Sequence, residues 1–278
     1  MGTRCRGDAQ DSTGASGDPT CPHNARDRGD LSVTAETFPE QGRGYLDHVR
    51  PDAGGKIAEA LAFRISRDII KEAAPRHSFL GSEAALIEKY GVSRAVFREA
   101  IRILEYLSMV TARRGPRGGI YVGDPDGSAV IASTAMFLEY ERVEPSQLYS
   151  TRAVLELHAV SLATERLDAE GERRLWETLE SERTKKPEEY IAHNDFHLTI
   201  GELSGNRPLS MFINVCQTLT AMHSIPVQEG VDGGTANEMA AEIGAAHRAI
   251  VEAMVARDAL SAQRAMDDHL RVMLPWLR

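Results

Sequence analysis

The most informative part of the chain is residues 79–122, with the sequence FLGSEAALIEKYGVSRAVFREAIRILEYLSMVTARRGPRGGIYV. Ser82 and Ser93 each stand where a helix can begin, because a serine hydroxyl accepts a hydrogen bond from an unpaired N–H group of the first turn. The helices predicted after them, AALIEKY and RAVFREAIRILEYL, are separated by a short turn that contains Gly91. Two helices joined in this way are typical of a helix-turn-helix.

The segments on either side extend this unit. Two β-prone runs, MVTARRG and GGIYVG, flank Pro116-Arg117 and predict a β-hairpin with a basic tip. A hairpin directly after a helix-turn-helix indicates a winged helix-turn-helix. On the N-terminal side, apolar residues recur every four positions and predict an amphipathic helix, with the positions Ile57, Leu61, Ile65 and Ile69.

The rest of the chain divides into a polar N-terminal segment and a long helical region. Residues 1–55 are rich in Gly, Asp, Arg, Ser, Thr and Pro, show no sustained period, and are predicted to be a disordered tail. We therefore predict a mainly α protein, with a winged helix-turn-helix at residues 56–123 and an all-α helical bundle at residues 124–278. The helices predicted in the bundle are 128–141, 146–167, 169–184, 187–204, 207–223, 236–256 and 258–274.

Charge is distributed unevenly between these two predicted domains. The whole chain of 278 residues has a net charge of −9. Residues 56–123 hold 12 Lys and Arg against 7 Asp and Glu, whereas residues 124–278 hold 14 against 25. A basic domain beside an acidic one indicates two different partners, and the basic domain is the one suited to nucleic acid.

Composition excludes several other classes of protein. No run approaches the ~18–20 apolar residues of a membrane span, so no membrane partner is expected. The three cysteines form no C-x-x-C pair and no disulfide framework, which favours a reducing cytoplasm. No phosphate-binding glycine loop and no G-x-S-x-G motif is present, and we predict that the protein is not an enzyme.

The helix that begins after Ser93 carries a basic stripe, Arg94, Arg98 and Arg102, at a spacing of four residues. A planar guanidinium can bind a guanine edge or a phosphate through two hydrogen bonds. The alternative is a solvated helix face in which these arginines form salt bridges with nearby glutamates. The wing favours DNA, because it places further basic residues beside the helix, at Arg113, Arg114 and Arg117.

These motifs resemble the DNA-binding domain of the GntR family of bacterial transcription regulators. The matching residues are Ser82-Glu83, Gly91-Val92-Ser93-Arg94, Arg98-Glu99-Ala100, Leu104, and the wing residues Gly118 to Val122. The resemblance implies that Arg94 and Arg98 contact bases and phosphates of double-stranded operator DNA. It also implies that Gly118 lets the wing backbone approach the duplex. The predicted DNA-binding residues are Ser93, Arg94, Arg98, Arg113, Arg117 and Gly118.

Histidines form the second candidate site. His193 and His197 are four residues apart, so both imidazoles project from one helix face, and His247 and His269 lie on the last two long helices. The stretch HNDFH lacks the glutamate that a zinc protease needs directly after its first histidine. From the residues alone, the histidine pair is either part of a metal site or part of a buried core.

The second half resembles the all-helical FCD effector domain of the FadR-like branch of the same family. The matching features are Arg152-Ala-Val-Leu-Glu156, Phe196-His197 before Gly205-Asn206, AHRAIVEAM around His247 and DDHL around His269. In many such domains an aspartate and three histidines bind a divalent metal. Here His193 stands in the aspartate position, and four imidazoles would favour Zn, with Ni as an alternative. A three-histidine site or a metal-free cluster is the other possibility.

Together these features predict a homodimeric regulator that is controlled by a small carboxylate bound at the metal. The family resemblance implies that it acts as a repressor. Arg152 is the predicted anchor for the far end of that carboxylate, and an ordinary ion pair with Glu156 is its alternative role. Two other functions remain open. One is a regulator that senses the metal ion alone, and the less favoured one is a metal-dependent enzyme.

Overall fold

The computed structural model describes residues 57–184, 195–223 and 233–274. The first part contains α1 (Ile57–Lys71), β1 (Phe79–Gly81), α2 (Glu83–Tyr90), α3 (Arg94–Tyr106), β2 (Val110–Arg113) and β3 (Gly119–Val122). The second part contains α4 (Ser128–Tyr140), α5 (Pro145–Arg166), α6 (Ala169–Thr184), α7 (Asp195–Leu203), α8 (Arg207–Met222), α9 (Gly233–Val255) and α10 (Ala259–Met273). The predicted fold class, a winged helix-turn-helix followed by a helical bundle, is confirmed.

Local sequence signals set the ends of the two short helices. The Ser82 hydroxyl accepts a hydrogen bond from the Ala85 N–H group at 3.2 Å, and the Ser93 hydroxyl accepts one from the Val96 N–H group at 3.3 Å. Gly91 ends α2 in a left-handed conformation with φ of 66°, which glycine adopts at little cost. These caps fix the turn and therefore the direction in which α3 leaves α2.

A three-stranded antiparallel sheet completes the N-terminal unit, with the strand order β1-β3-β2. The predicted hairpin is β2 and β3, with Val110 paired to Val122 and Arg113 paired to Gly119. The sequence did not predict β1, because three residues are too few to show an alternating pattern. The unit has its own apolar core, which joins α1, α2, α3, β2 and β3 through residues such as Leu61, Ile65, Phe97, Leu104 and Ile120.

The bundle is organised around α5, which packs against α7, α8 and α10, while α9 packs against α6 and α10. Its core is a separate apolar cluster drawn from α5 to α10, and it includes Val160, Leu175, Phe196, Met254 and Met266. A buried hydrogen bond of 2.6 Å, from the Tyr149 hydroxyl to the Leu270 carbonyl, ties α5 to α10. Packing around α5 therefore holds three other helices at fixed positions.

Most predicted bundle helices agree with the structure to within three residues at each end. The predicted helix 187–204 is seen as α7 from Asp195, and its earlier part, including His193, lies outside the described residues. The predicted tail at residues 1–55 also lies outside them. No helix in the described ranges is long and apolar enough to cross a membrane.

Candidate DNA-binding surface and buried histidine cluster

Helix α3 buries one face and exposes another. Its apolar face, formed by Phe97, Ala100, Ile101 and Leu104, lies in the core of the N-terminal unit. The side chains of Arg94 and Arg98 are 71% and 62% exposed, and Arg102 is also exposed. The core thus fixes the helix while the basic stripe faces solvent.

Glu83 at the start of α2 pairs with both of the first two arginines of this stripe. The Arg98 Nε donates to Glu83 Oε1 at 2.9 Å, and the Arg94 Nε lies 3.6 Å from the same oxygen. Glu105, a glutamate near the end of α3, instead accepts a hydrogen bond from the Ala112 N–H group at 3.0 Å. The carboxylate of Glu83 thus pairs with two arginines that lie one helical turn apart on the exposed side of α3.

The wing places its basic residues around a tight tip. The Arg113 guanidinium lies over the Tyr121 ring at 4.2 Å, and the Tyr121 hydroxyl donates to the Arg117 carbonyl at 3.0 Å. Gly118 donates its N–H group to the Gly115 carbonyl at 2.7 Å. A side chain at Gly118 would place its Cβ 2.8 Å from two backbone carbonyl oxygens, so the tip itself requires glycine there.

Three of the four predicted metal ligands lie together inside the bundle. His197 on α7, His247 on α9 and His269 on α10 are all buried, and their ligand atoms lie within 4.8 Å of one another. The Nε2 atom of His269 is 3.3 Å from that of His247 and 3.2 Å from that of His197. The fourth predicted ligand, His193, lies outside the described residues.

Two buried carboxylates contact the far side of this cluster. The Nδ1 atom of His247 is 3.0 Å from Glu182 Oε2, and the Nδ1 atom of His197 lies against Glu156 Oε2. Glu156 also accepts a hydrogen bond of 2.6 Å from the Arg152 Nε through its other oxygen. Arg152 is therefore buried and already paired with Glu156, which is the alternative role considered for it in the sequence.

Burial and pairing shift the pKa values of these groups. Burial lowers the pKa of His197 to about 4, although Glu156 opposes the shift. Burial also lowers the pKa of His269 well below its ordinary value, and the neighbouring histidines add to this effect. Burial alone would raise the pKa of Glu156, but Arg152 and His197 outweigh it and lower this pKa to about 2. His197 and His269 are thus neutral, as metal ligands must be, while Glu156 is ionised.

The cluster fits a transition-metal ion on two grounds. Tetrahedral bonds of ~2.0–2.1 Å place ligand nitrogens about 3.3–3.4 Å apart, close to the Nε2 distances observed. A neutral imidazole also has only one N–H group. When His197 and His247 use theirs at Nδ1, both of their Nε2 lone pairs face Nε2 of His269. The single N–H group of His269 can serve only one of these lone pairs, whereas a metal ion can bind all three nitrogens. An ion there would be held by His197, His247 and His269.

Sequence reasoning did not identify Glu156 and Glu182 as partners of the histidines. Glu156 was visible only as a residue one helical turn from Arg152, and nothing in the local pattern connects it to His197. Glu182 is 65 residues from His247 in the sequence. Contacts of this kind depend on how whole helices pack, so no local spacing indicates them.

Comparisons with known proteins agree with both parts of the fold. Residues 57–122 match the family described as "Bacterial regulatory proteins, gntR family", and residues 147–272 match the FCD domain. The chain is 29% identical over 198 residues to the uncharacterized HTH-type transcriptional regulator YcbG of Bacillus subtilis, which covers 69% of this chain and 77% of that protein. It is 25% identical over 237 residues to the HTH-type transcriptional repressor NanR of Cronobacter sakazakii, covering 82% and 88% of the two chains.

A solved structure supports the same architecture. The Streptococcus agalactiae GntR structure has a TM-score of 0.58 and 21% sequence identity, and the match covers 77% of this chain and 97% of that one. A winged helix-turn-helix joined to this helical domain defines a DNA-binding transcription regulator, and no enzyme family is among these matches. The chain belongs to the GntR family and carries an FCD domain.

Proposed function

We propose that this protein is a homodimeric cytoplasmic repressor whose binding to operator DNA is controlled by a small carboxylate at a metal in the bundle. The predicted division assigns DNA binding to residues 56–123 and sensing to residues 124–278. The observation that carries the proposal is the convergence of three buried histidine nitrogens at distances suited to one metal ion. Similarity to a protein described as a transcriptional repressor supports repression.

The DNA contacts are assigned to α3 and the wing. Arg94 and Arg98 are exposed on a rigid helix, which suits entry into the major groove, and Ser93 caps the same helix where it would meet the duplex. Arg113 and Arg117 flank the wing tip and are suited to phosphates or the minor groove. Gly118 keeps that tip narrow.

The metal assignment rests on ligand chemistry. Neutral imidazoles favour Zn over Mg or Mn, with Ni as the alternative, because those harder ions prefer carboxylate oxygens. Three protein nitrogens leave at least one coordination position for another ligand, which His193 or a carboxylate effector would supply. When bound, the metal would supply a positive centre that attracts an anionic effector, and Arg152 remains the predicted anchor for its far end.

The surface of α4 supports a second copy of the chain as the partner. No side chain of α4 is buried, and its spacing places Met136, Phe137 and Tyr140 on one side, with Phe137 61% and Tyr140 84% exposed. Aromatic side chains bury ~150–250 Å² each, and monomers rarely expose apolar patches beyond ~300–600 Å². A dimer would cover this face, and two-fold symmetry suits a helix-turn-helix that binds a palindromic operator.

One observation favours a second candidate, a regulator that senses the metal ion alone. Arg152 is buried against Glu156, so the cation predicted to hold an organic effector already has a partner. In this case the metal itself would change operator binding. The two candidates differ in whether a carboxylate adds anything once the metal is bound.

The test begins with the metal content of protein purified without a histidine tag, beside His197→Ala and His193→Ala variants. We expect about one ion per chain in the unaltered protein and loss of metal in His197→Ala. Full occupancy in His197→Ala would refute the site, whereas full occupancy in His193→Ala would leave a three-histidine site. Thermal shift with carboxylates then separates the candidates, because a true effector raises Tm only when metal is present.

A further inference from the structure

Two buried carboxylates contact the histidine cluster at atoms that the proposed metal would not use. Glu156 on α5 and Glu182 on α6 are buried, and each contacts the Nδ1 atom of one histidine. Burying an ionised carboxylate is costly unless a hydrogen-bond donor or an opposite charge compensates for it. Neither residue is among the predicted metal ligands, so their burial against these particular atoms points to another role.

The contacts decide which nitrogen of each imidazole carries the proton. An ionised carboxylate only accepts hydrogen bonds, so the Nδ1 atom facing it must be the protonated one. In a neutral ring the Nε2 atom then keeps its lone pair. For His197 the pairing is mutual, since neither its Nδ1 atom nor Glu156 Oε2 has another hydrogen-bond partner among the described residues.

We infer that Glu156 and Glu182 are positioning residues of the histidine cluster, which fix the Nδ1–H form of His197 and His247 and turn their Nε2 lone pairs toward one point. This inference rests on the proposed metal site. The two contacts come from α5 and α6, whereas the histidines come from α7 and α9. Each ring is therefore held between two helices and cannot rotate away without losing a buried hydrogen bond.

The same inference gives Arg152 a role within this arrangement. Its Nε donates to Glu156 Oε1 at 2.6 Å, while Oε2 of the same carboxylate faces His197. The guanidinium thus fixes the orientation of the carboxylate, so that Oε2 faces the Nδ1 atom of His197. Arg152 then acts on the cluster through Glu156, whether or not it also meets an effector.

The experiment measures the affinity of the full-length protein for Zn²⁺ and Co²⁺ by competition with a chelator. Glu156→Gln and Glu182→Gln keep the size of each side chain and remove its charge. We expect each variant to bind metal ~10- to 100-fold more weakly, as is typical when a carboxylate behind a ligating histidine is lost. Glu180→Gln is the matched control, because Glu180 is exposed on the same helix and pairs only with Arg183 in the described structure, and its affinity should not change.

Three further measurements separate positioning from general loss of structure. Long-range ¹H–¹⁵N spectra of the metal-loaded protein should show protons on Nδ1 of His197 and His247, and this pattern should be altered for the ring whose carboxylate is replaced. Arg152→Met should weaken metal binding in the same direction as Glu156→Gln. Circular dichroism of each metal-free variant establishes that it is folded. If Glu156→Gln fails to fold, Glu182→Gln still tests the inference, because Glu182 contacts His247 from a different helix, α6.

The outcomes distinguish this inference from the proposed function. If the unaltered protein binds no divalent metal, both the site and the inference are overturned. If it binds metal and the folded Glu156→Gln and Glu182→Gln variants bind it equally well, the site stands and the inference is wrong. Unchanged metal affinity in Arg152→Met would overturn only the role given to Arg152.

Discussion

The DNA-binding assignment can be tested most directly by removing the Arg98 side chain. This residue lies on the exposed side of α3, opposite the buried Phe97 and Leu104, so its truncation removes no core contact. Alanine also favours helix at that position. Arg98→Ala should therefore leave the fold intact and change only the surface that meets DNA.

The expected loss of binding free energy follows from the exchange of Glu83 for DNA as the partner of Arg98. In the unbound protein Arg98 pairs with Glu83, and binding to DNA would replace this contact. An exposed ion pair is worth ~0–1 kcal/mol, whereas a side chain that contacts a base edge contributes ~1–3 kcal/mol. The exchange remains favourable, and Arg98→Ala should weaken specific binding by about 1–2 kcal/mol, or ~5- to 30-fold.

The assay is fluorescence anisotropy with an operator selected from random duplexes, measured over a range of salt concentrations beside an unrelated duplex. If Arg98 contacts a base, only the specific affinity falls. If it contacts a phosphate, both affinities fall and the slope of log K against log salt decreases by ~0.9. The control is Arg173→Ala, which removes an exposed, ion-paired arginine from α6. A folded Arg94→Ala/Arg98→Ala variant with unchanged operator affinity would refute the assignment.

The wing tip, the exposed face of α4 and the buried His197 can each be tested by one change. Gly118→Ala should displace the wing tip and reduce both DNA affinity and its salt dependence without lowering Tm substantially, and an unaltered salt slope would count against the wing contact. Phe137→Glu should give a monomer in light scattering, whereas Val154→Glu, at another exposed apolar position, should not. Acid should destabilise the metal-free protein, because His197 has a pKa of about 4 when folded but near 6.5 when unfolded. The unfolded chain then binds more protons, so about 3 kcal/mol of stability present above pH 6.5 is lost as pH falls toward 4, and a Tm unchanged over this range would contradict it.

Local signals made the N-terminal fold predictable. The two serine caps, Gly91 and the four-residue spacing of apolar residues each act within a few positions of sequence, so the sequence alone predicts the helix-turn-helix. The strand β1 was missed because it consists of three residues that pair with β3, about forty positions further along the chain. Its stability comes from that pairing and not from its own composition, which is why no local pattern showed it.

Arg152 shows where prediction from the sequence reaches its limit. The spacing of Arg152 and Glu156 allowed an ion pair, and the family resemblance allowed a role in effector binding, but neither could show that the pair is buried. Burial changes the chemistry, because an ion pair in a low-dielectric interior must also satisfy its remaining oxygen. In this bundle that oxygen faces His197, which α7 brings to α5. Because α5 and α7 pack together, the ion pair of Arg152 and Glu156 contacts the histidine cluster and helps to hold His197 in place.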